Sequence, residues 1–161
     1  MFNLGTMLNL DSSEPVIGSA NIILECSTRE LFKYIGDELF QNYPKWSPEV
    51  KELEQITPGP VKLGIIGRQV RVDQGRRSES NFKISTYNPE SRLTLTGVSD
   101  PFRCTYKLEE IIPDKTSKLT FTFELLELLM VMRPVEGLVR IAIKDGAKRT
   151  VQNIKQLVEV N

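Results

Sequence analysis

The sequence predicts an α+β domain: a curved antiparallel sheet of seven strands closed around a long C-terminal helix, with two short helices after the first strand. Three observations carry this prediction. Six consecutive segments after Trp46 have strand character and are separated by short turn-forming stretches; two of them alternate apolar and polar residues without interruption; and the C-terminal portion changes to apolar spacings of three and four. Successive strands joined by short turns pair antiparallel, because a parallel partner needs a long crossover.

Residues 1–13 include Gly5, Asn9, Asp11, Ser12 and Ser13 and read as a flexible arm, leaving residues 14–161 as one domain. At this length a fold hides roughly 70% of the surface that the unfolded chain exposes, enough for one sizeable core. Residues 15–26, with Val16, Ile17, Ile22, Ile23 and Leu24, form the first strand. Ser27-Thr28-Arg29-Glu30 then makes a capping box, with Cys26 and Leu31 placed as its hydrophobic staple. The helix it opens buries Leu31, Phe32 and Ile35 and stops at Gly36; a second short helix or turn covers residues 38–43 and ends at Pro44.

The remaining strands are expected at residues 49–56, 65–74, 77–87, 92–98, 102–111 and 118–126. Turn chemistry separates them: Thr57-Pro58-Gly59-Pro60, Asp73-Gln74-Gly75, Asn88-Pro89-Glu90, Ser99-Asp100-Pro101 and Pro113-Asp114-Lys115. Phe102, Cys104, Tyr106 and Leu108 point one way and Arg103, Thr105, Lys107 and Glu109 the other; Leu119, Phe121, Phe123 and Leu125 repeat the pattern against Thr120, Thr122 and Glu124. The sheet therefore has a dry face and a wet face. From Pro134 to Val158 the residues Val135, Leu138, Val139, Ala142, Ile143, Gly146, Ala147, Ile154 and Leu157 share one broad stripe. A helix of about 25 residues is ~37 Å long, and a strand of eight to ten residues is ~26 to 33 Å, so the helix can cross the whole dry face. The small residues Ala142, Gly146 and Ala147 either let helix and sheet approach closely or leave room for a ligand.

Composition excludes several functions. Lys plus Arg and Asp plus Glu are both 21, and without a clustered positive excess nucleic acid is not an expected partner. The short run Arg68, Arg71, Arg76, Arg77 reads as solvated strand and turn. Cys26 and Cys104 lie in different expected strands, so a reducing cytoplasm fits better than a disulfide framework. The N-terminus lacks a signal-peptide pattern, and no run reaches the roughly 20 apolar residues of a membrane span. There is no histidine, which removes His-based zinc sites and His-dependent triads. No metal or cofactor is expected.

The order strand, two short helices, six strands, long helix resembles that of the START-like proteins related to the birch-pollen allergen. The details resemble the polyketide cyclase/dehydrase-type branch. Asn42-Tyr43-Pro44-Lys45-Trp46-Ser47-Pro48-Glu49-Val50, Gly59-Pro60-Val61 with Gly64, and Tyr87-Asn88-Pro89-Glu90-Ser91-Arg92-Leu93 carry the likeness, which spans roughly residues 19–158. It implies a helix-grip fold holding lipids, sterols, isoprenoids or polyketides between sheet and helix. No residue set maps onto a catalytic motif of the family, so no catalytic role is carried over.

The expected cavity wall comprises Phe82, Ile84, Leu93, Leu95, Phe102, Cys104, Tyr106, Phe121 and Phe123 from the strands, with Val135, Val139, Ala142, Ile143 and Gly146 from the helix; the alternative for each is ordinary core. Trp46 is expected in a loop covering one end, either as a pocket mouth or as a fixed lid. Tyr106 and Arg68 are the polar groups assigned to the dry face, Arg68 because it alternates with Val70 and Val72, unless a bulge turns it outward. Residues 125–132, Leu-Leu-Glu-Leu-Leu-Met-Val-Met, end a strand or graze a membrane surface. Three functions are compatible: a carrier or sensor of a hydrophobic small molecule, a cyclase or dehydratase of a polyketide-like chain, and an interaction protein with a collapsed cavity. Absence of histidine favours the first over the second. The oligomeric state is not encoded in any of these patterns.

Overall fold

A computed structural model describes residues 14–159, and the arm expected over residues 1–13 lies outside them. Seven strands, β1 (Val16–Leu24), β2 (Val50–Gln55), β3 (Ile66–Asp73), β4 (Arg76–Asn88), β5 (Arg92–Gly97), β6 (Phe102–Ile112) and β7 (Thr116–Leu125), form one sheet. Its order is β1-β7-β6-β5-β4-β3-β2, and every neighbouring pair is antiparallel. From β2 to β7 the chain is a meander. Gln74 and Gly75, both at positive φ (52° and 81°), make the two-residue turn that joins β3 to β4. Register shifts in β2, β4 and β6 mark irregularities of the kind that bend a sheet.

The two sheet edges, β1 and β2, are consecutive in sequence, so their connection spans the opening of the bent sheet. It consists of α1 (Thr28–Phe32), a π-helical turn (Lys33–Asp37) and α2 (Leu39–Trp46). Ser27 Oγ accepts the Glu30 N–H at 3.1 Å, as the capping pattern requires. Gly36 does not stop the helix. It lies inside the π-helical turn, where a Cβ would come within 2.8 Å of the Phe32 ring. Nor does Pro44 end the second helix, which runs on to Trp46. Leu39, Tyr43 and Trp46 share one buried face, and their burial outweighs the hydrogen bond that proline cannot donate. Trp46 thus belongs to the last turn of α2 and not to a loop.

Leu24, Leu31, Phe32, Ile35, Leu39, Phe82, Ile84, Leu93, Leu95 and Leu119 build the solid core beneath α1 and α2, each with at most 2% of its surface exposed. After β7 an extended stretch leads to a 3-10 segment (Met130–Val135), which contains Pro134, and then to α3 (Glu136–Val158). The α-helix begins two residues later than the proline position suggested.

α3 lies along β1 and β7. At one end of the contact Ile143 and Lys144 rest on Gly18; at the other Lys155 Nζ donates to the Ile23 carbonyl at 2.9 Å. Gly18 sets the approach: a Cβ there would be 2.5 Å from Ile143 Cγ2 and 2.9 Å from the Lys144 backbone nitrogen. Gly146 plays no such part, since a Cβ on it would meet only Arg149 Nη2, at 3.9 Å, and Gly137 faces open space. Close packing is therefore achieved by a glycine in the strand, while Gly146 of the helix faces free volume and Ala147 is core. The apolar stripe is also narrower than its sequence suggests. Ala147, Val151 and Ile154 are buried, but Leu138 is 68% exposed, because it precedes Ala147 by about two and a half turns and points the opposite way.

Candidate functional site

Between α3, the end of α2 and strands β3, β6 and β7 lies a cavity of about 640 Å³. Its floor comes from the two strands whose alternation is clearest. The register sets Phe102 beside Leu125, Cys104 beside Phe123 and Tyr106 beside Phe121, and all six side chains face the cavity. The Phe102 and Phe123 rings are stacked, 6.2 Å apart and 3° from parallel, and Tyr106 and Phe121 are 4.9 Å apart. Val139, Ala142, Ile143 and Gly146 form the roof, spaced by three and four residues along one face of α3.

Trp46 closes one end. Only 1% exposed, its ring meets Tyr106 edge-on at 5.9 Å, and its Nε1–H donates to the Tyr106 hydroxyl at 3.2 Å. Asn153 Nδ2 donates to the Trp46 carbonyl at 3.0 Å and so ties α2 to α3. Burial pushes the Tyr106 phenol well above its ordinary pKa, with only partial opposition from the Trp46 hydrogen bond and the Arg71 charge.

One corner of the cavity is polar. β3 supplies Gln69 and Arg71 there, and the adjoining Ser47, Glu49, Asp73 and Arg149 complete it. Tyr43 OH donates to Gln69 Oε1 at 3.1 Å, and Gln69 Nε2 donates to Ser80 Oγ at 3.2 Å. Arg71 Nη1 is 3.3 Å from both Tyr43 OH and Ser47 Oγ, while its Nε and Nη2 each reach Asp73 at 3.2 Å. Burial opposes the Arg71 charge, but the hydrogen bond and charge of Asp73 help hold the guanidinium protonated. Burial also raises the Tyr43 phenol and pushes the Cys104 thiol up to about 12, with Arg71 opposing both. These phenols and this thiol are neutral at pH 7, beside a permanent cation.

Ten of the sixteen residues expected at a site line this cavity: Trp46, Phe102, Cys104, Tyr106, Phe121, Phe123, Val139, Ala142, Ile143 and Gly146. Phe82, Ile84, Leu93 and Leu95 do not, because α1 and α2 cover that part of the sheet and fill it with core. Val135 is also absent from the lining; it ends the 3-10 segment and is 38% exposed. Arg68 is the clearest correction. It pairs with Glu52, Glu54 and Glu79 on the outer face, and the β3–β4 register is unbroken, so simple alternation and not a bulge turns it outward. Val70 shares that outer face and is buried all the same, between its register neighbours Glu52 and Glu79. Val70 and Val72 therefore mark the outer side of β3, the reverse of the expected orientation. Among the overlooked residues are Tyr43, Gln69 and Arg71, with Glu49, Asp73 and Arg149 beside them. Gln69, Arg71 and Asp73 alternate as a polar row within a strand, a signal of a lined cavity that outweighs two valines.

A bent antiparallel sheet gripping a C-terminal helix, with a walled cavity between them, defines the helix-grip class of START-like proteins. The family model described as polyketide cyclase / dehydrase and lipid transport matches residues 17–159, and the chain belongs to that family. Among solved structures, the Zhui aromatase/cyclase from Streptomyces sp. R1128 is similar at 7% identity, over 91% of this chain and 94% of its own, with a TM-score of 0.73. A norcoclaurine synthase point mutant from Thalictrum flavum, in complex with a transition-state analogue, has 15% identity, 89% and 94% coverage and a TM-score of 0.69. A START superfamily protein from Mycobacterium smegmatis has 18% identity, 88% and 98% coverage and a TM-score of 0.66. At these identities the likeness is one of fold. No curated protein sequence matches the chain.

Proposed function

We propose that the protein binds a hydrophobic small molecule, of lipid, isoprenoid or polyketide-like chemistry, between α3 and the sheet, as a carrier or sensor. The observation that carries this reading is the cavity itself: about 640 Å³, walled by aromatic and aliphatic side chains, with one polar corner. Ligand pockets of that design have volumes of roughly 300 to 1,000 Å³. Shielding about 200 Å² of apolar ligand surface contributes ~5 kcal/mol before ordering costs. A collapsed interior does not fit this geometry. A cyclase or dehydratase would depend on Tyr106 or a carboxylate of the lining to move protons; burial moves the Tyr106 phenol further from neutrality, and Asp73 and Glu49 face Arg71 and Arg149, which suits a wall better than a proton shuttle.

Both thiols are free and buried, in keeping with a cytoplasmic setting. No helix among the described residues is long and apolar enough to cross a membrane. The exposed Leu129, Val131 and Leu138 adjoin the helical turns that roof the cavity, and they support transient contact with a membrane surface during loading. Native mass spectrometry of gently purified protein tests the binding reading. A co-purifying apolar mass, or saturable uptake of the neutral probe N-phenyl-1-naphthylamine, is expected; protein that arrives empty and takes up no probe would overturn it.

A further inference from the structure

We propose that the cavity selects uncharged amphiphiles, seating a hydroxyl or carbonyl oxygen on Arg71, and that Asp73 is the residue that turns carboxylates away. The inference rests on the reading of the cavity as a small-molecule site. Its basis is how the charges around the polar corner are already matched. Arg71 spends Nε and Nη2 on Asp73. The other guanidinium in the lining, Arg149, has Nη2 4.0 Å from Glu49 Oε1, and Glu49 Oε2 also accepts from Ser47 Oγ. Asp100 stands in the lining as a further carboxylate, while Glu79 is held on the outer face by Arg68. The lining therefore holds two guanidiniums, each facing a carboxylate, and Asp100 besides, in a chain whose formal charge is zero.

A carboxylate entering this corner meets guanidiniums that already face carboxylates, Arg71 through two hydrogen bonds to Asp73 and the largely exposed Arg149 through Glu49 at 4.0 Å. It can take the Arg71 Nη1 donor only by bringing its charge beside that of Asp73, in a partly dry cavity where like charges repel more strongly than in water. A neutral oxygen needs only one donor, and Arg71 Nη1 is suited to supply it. Its contacts to Tyr43 and Ser47, at 3.3 Å, lie beyond the usual N–H···O range and are readily exchanged. The Tyr43 hydroxyl proton is committed to Gln69, so the corner offers a ligand oxygen a donor from arginine. Asp73 decides the selection because it neutralises the half-buried guanidinium that supplies the donor.

The test is competition against bound N-phenyl-1-naphthylamine by 1-decanol and by decanoate at pH 7.5, on the wild type and on Asp73→Asn. Decanol is expected to displace the probe from the wild type at the lower concentration. Decanol is also the more hydrophobic of the two, so the variant is decisive. With Asp73 neutral, the decanoate-to-decanol ratio should move toward decanoate by roughly tenfold, as expected for removing one like charge a few ångströms away in a partly screened site. Glu49→Gln, which frees Arg149 in the same manner, should move it in the same direction. An unchanged ratio in both folded variants, or decanoate as the tighter ligand of the wild type, would overturn the inference. Loss of the probe's own binding is a separate result, one that removes the cavity reading and this inference with it.

Discussion

Replacing Gly146 with phenylalanine should abolish ligand binding while leaving the domain folded. A Cβ at this position meets nothing nearer than Arg149 Nη2 at 3.9 Å, so the new ring enters the cavity without striking backbone. Buried aromatic side chains cover about 150 Å² or more; denying that area to a ligand removes ~4 kcal/mol, close to three orders of magnitude in Kd. The helix does not suffer, since interior glycine is less favourable than phenylalanine by a few tenths of a kcal/mol. The assay is a fluorescence titration with N-phenyl-1-naphthylamine, with Trp46 emission as a second signal and thermal unfolding measured alongside. The wild type should saturate, and the variant should lose at least about a hundredfold in affinity with a Tm within a few degrees of wild type. A folded Gly146→Phe protein that binds as tightly as the wild type would refute the reasoning, because the free volume would then lie elsewhere.

Gly18→Ala is the opposite case: its Cβ would lie 2.5 Å from Ile143 Cγ2 and 2.9 Å from the Lys144 backbone nitrogen. Overpacking of that kind costs about 1 to 3 kcal/mol, read as a Tm several degrees lower. Burial raises Cys26 to about 11 and Cys104 to about 12, so iodoacetamide at pH 8 should leave both unmodified in the folded protein and alkylate both after denaturation, as followed by intact mass. Arg103 Nε and Nη2 donate to the Glu124 carboxylate and hold it below its ordinary pKa. The stability this adds is fully present above the unfolded carboxylate value of about 4.3 and is lost as pH falls through the lower folded value. Denaturant titrations of wild type and Glu124→Gln should therefore differ at pH 7 and converge in acid; a gap that stays constant would remove Arg103 as its cause.

Much of the fold is legible in the sequence because its signals are local. Turn chemistry locates the hairpins, and strict alternation orients β6 and β7, so Phe102, Cys104, Tyr106, Phe121 and Phe123 are placed facing the cavity. What escapes is decided by tertiary contact. Pro44 reads as a helix stop, yet the burial of Tyr43 and Trp46 carries α2 through it. Phe82, Ile84, Leu93 and Leu95 have the same chemistry as the cavity wall and become core only because α1 and α2 lie over them. Gly18 looks like an ordinary weakness in a strand until a helix is laid on it. Arg68 and Arg71 are exchanged because two valines outweighed the polar row Gln69, Arg71, Asp73, although a polar row facing inward is what a cavity with a recognition corner requires.

The central claim is that free volume under α3 admits an apolar molecule, and intermolecular NOEs between N-phenyl-1-naphthylamine and the methyl and aromatic protons of the protein test it most directly. The account predicts contacts to Ala142 and Ile143 of the helix together with the rings of Phe121 and Phe123. Contacts confined to the exposed methyls of Val131, Leu138 and Ile141, with none beneath the helix, would contradict it.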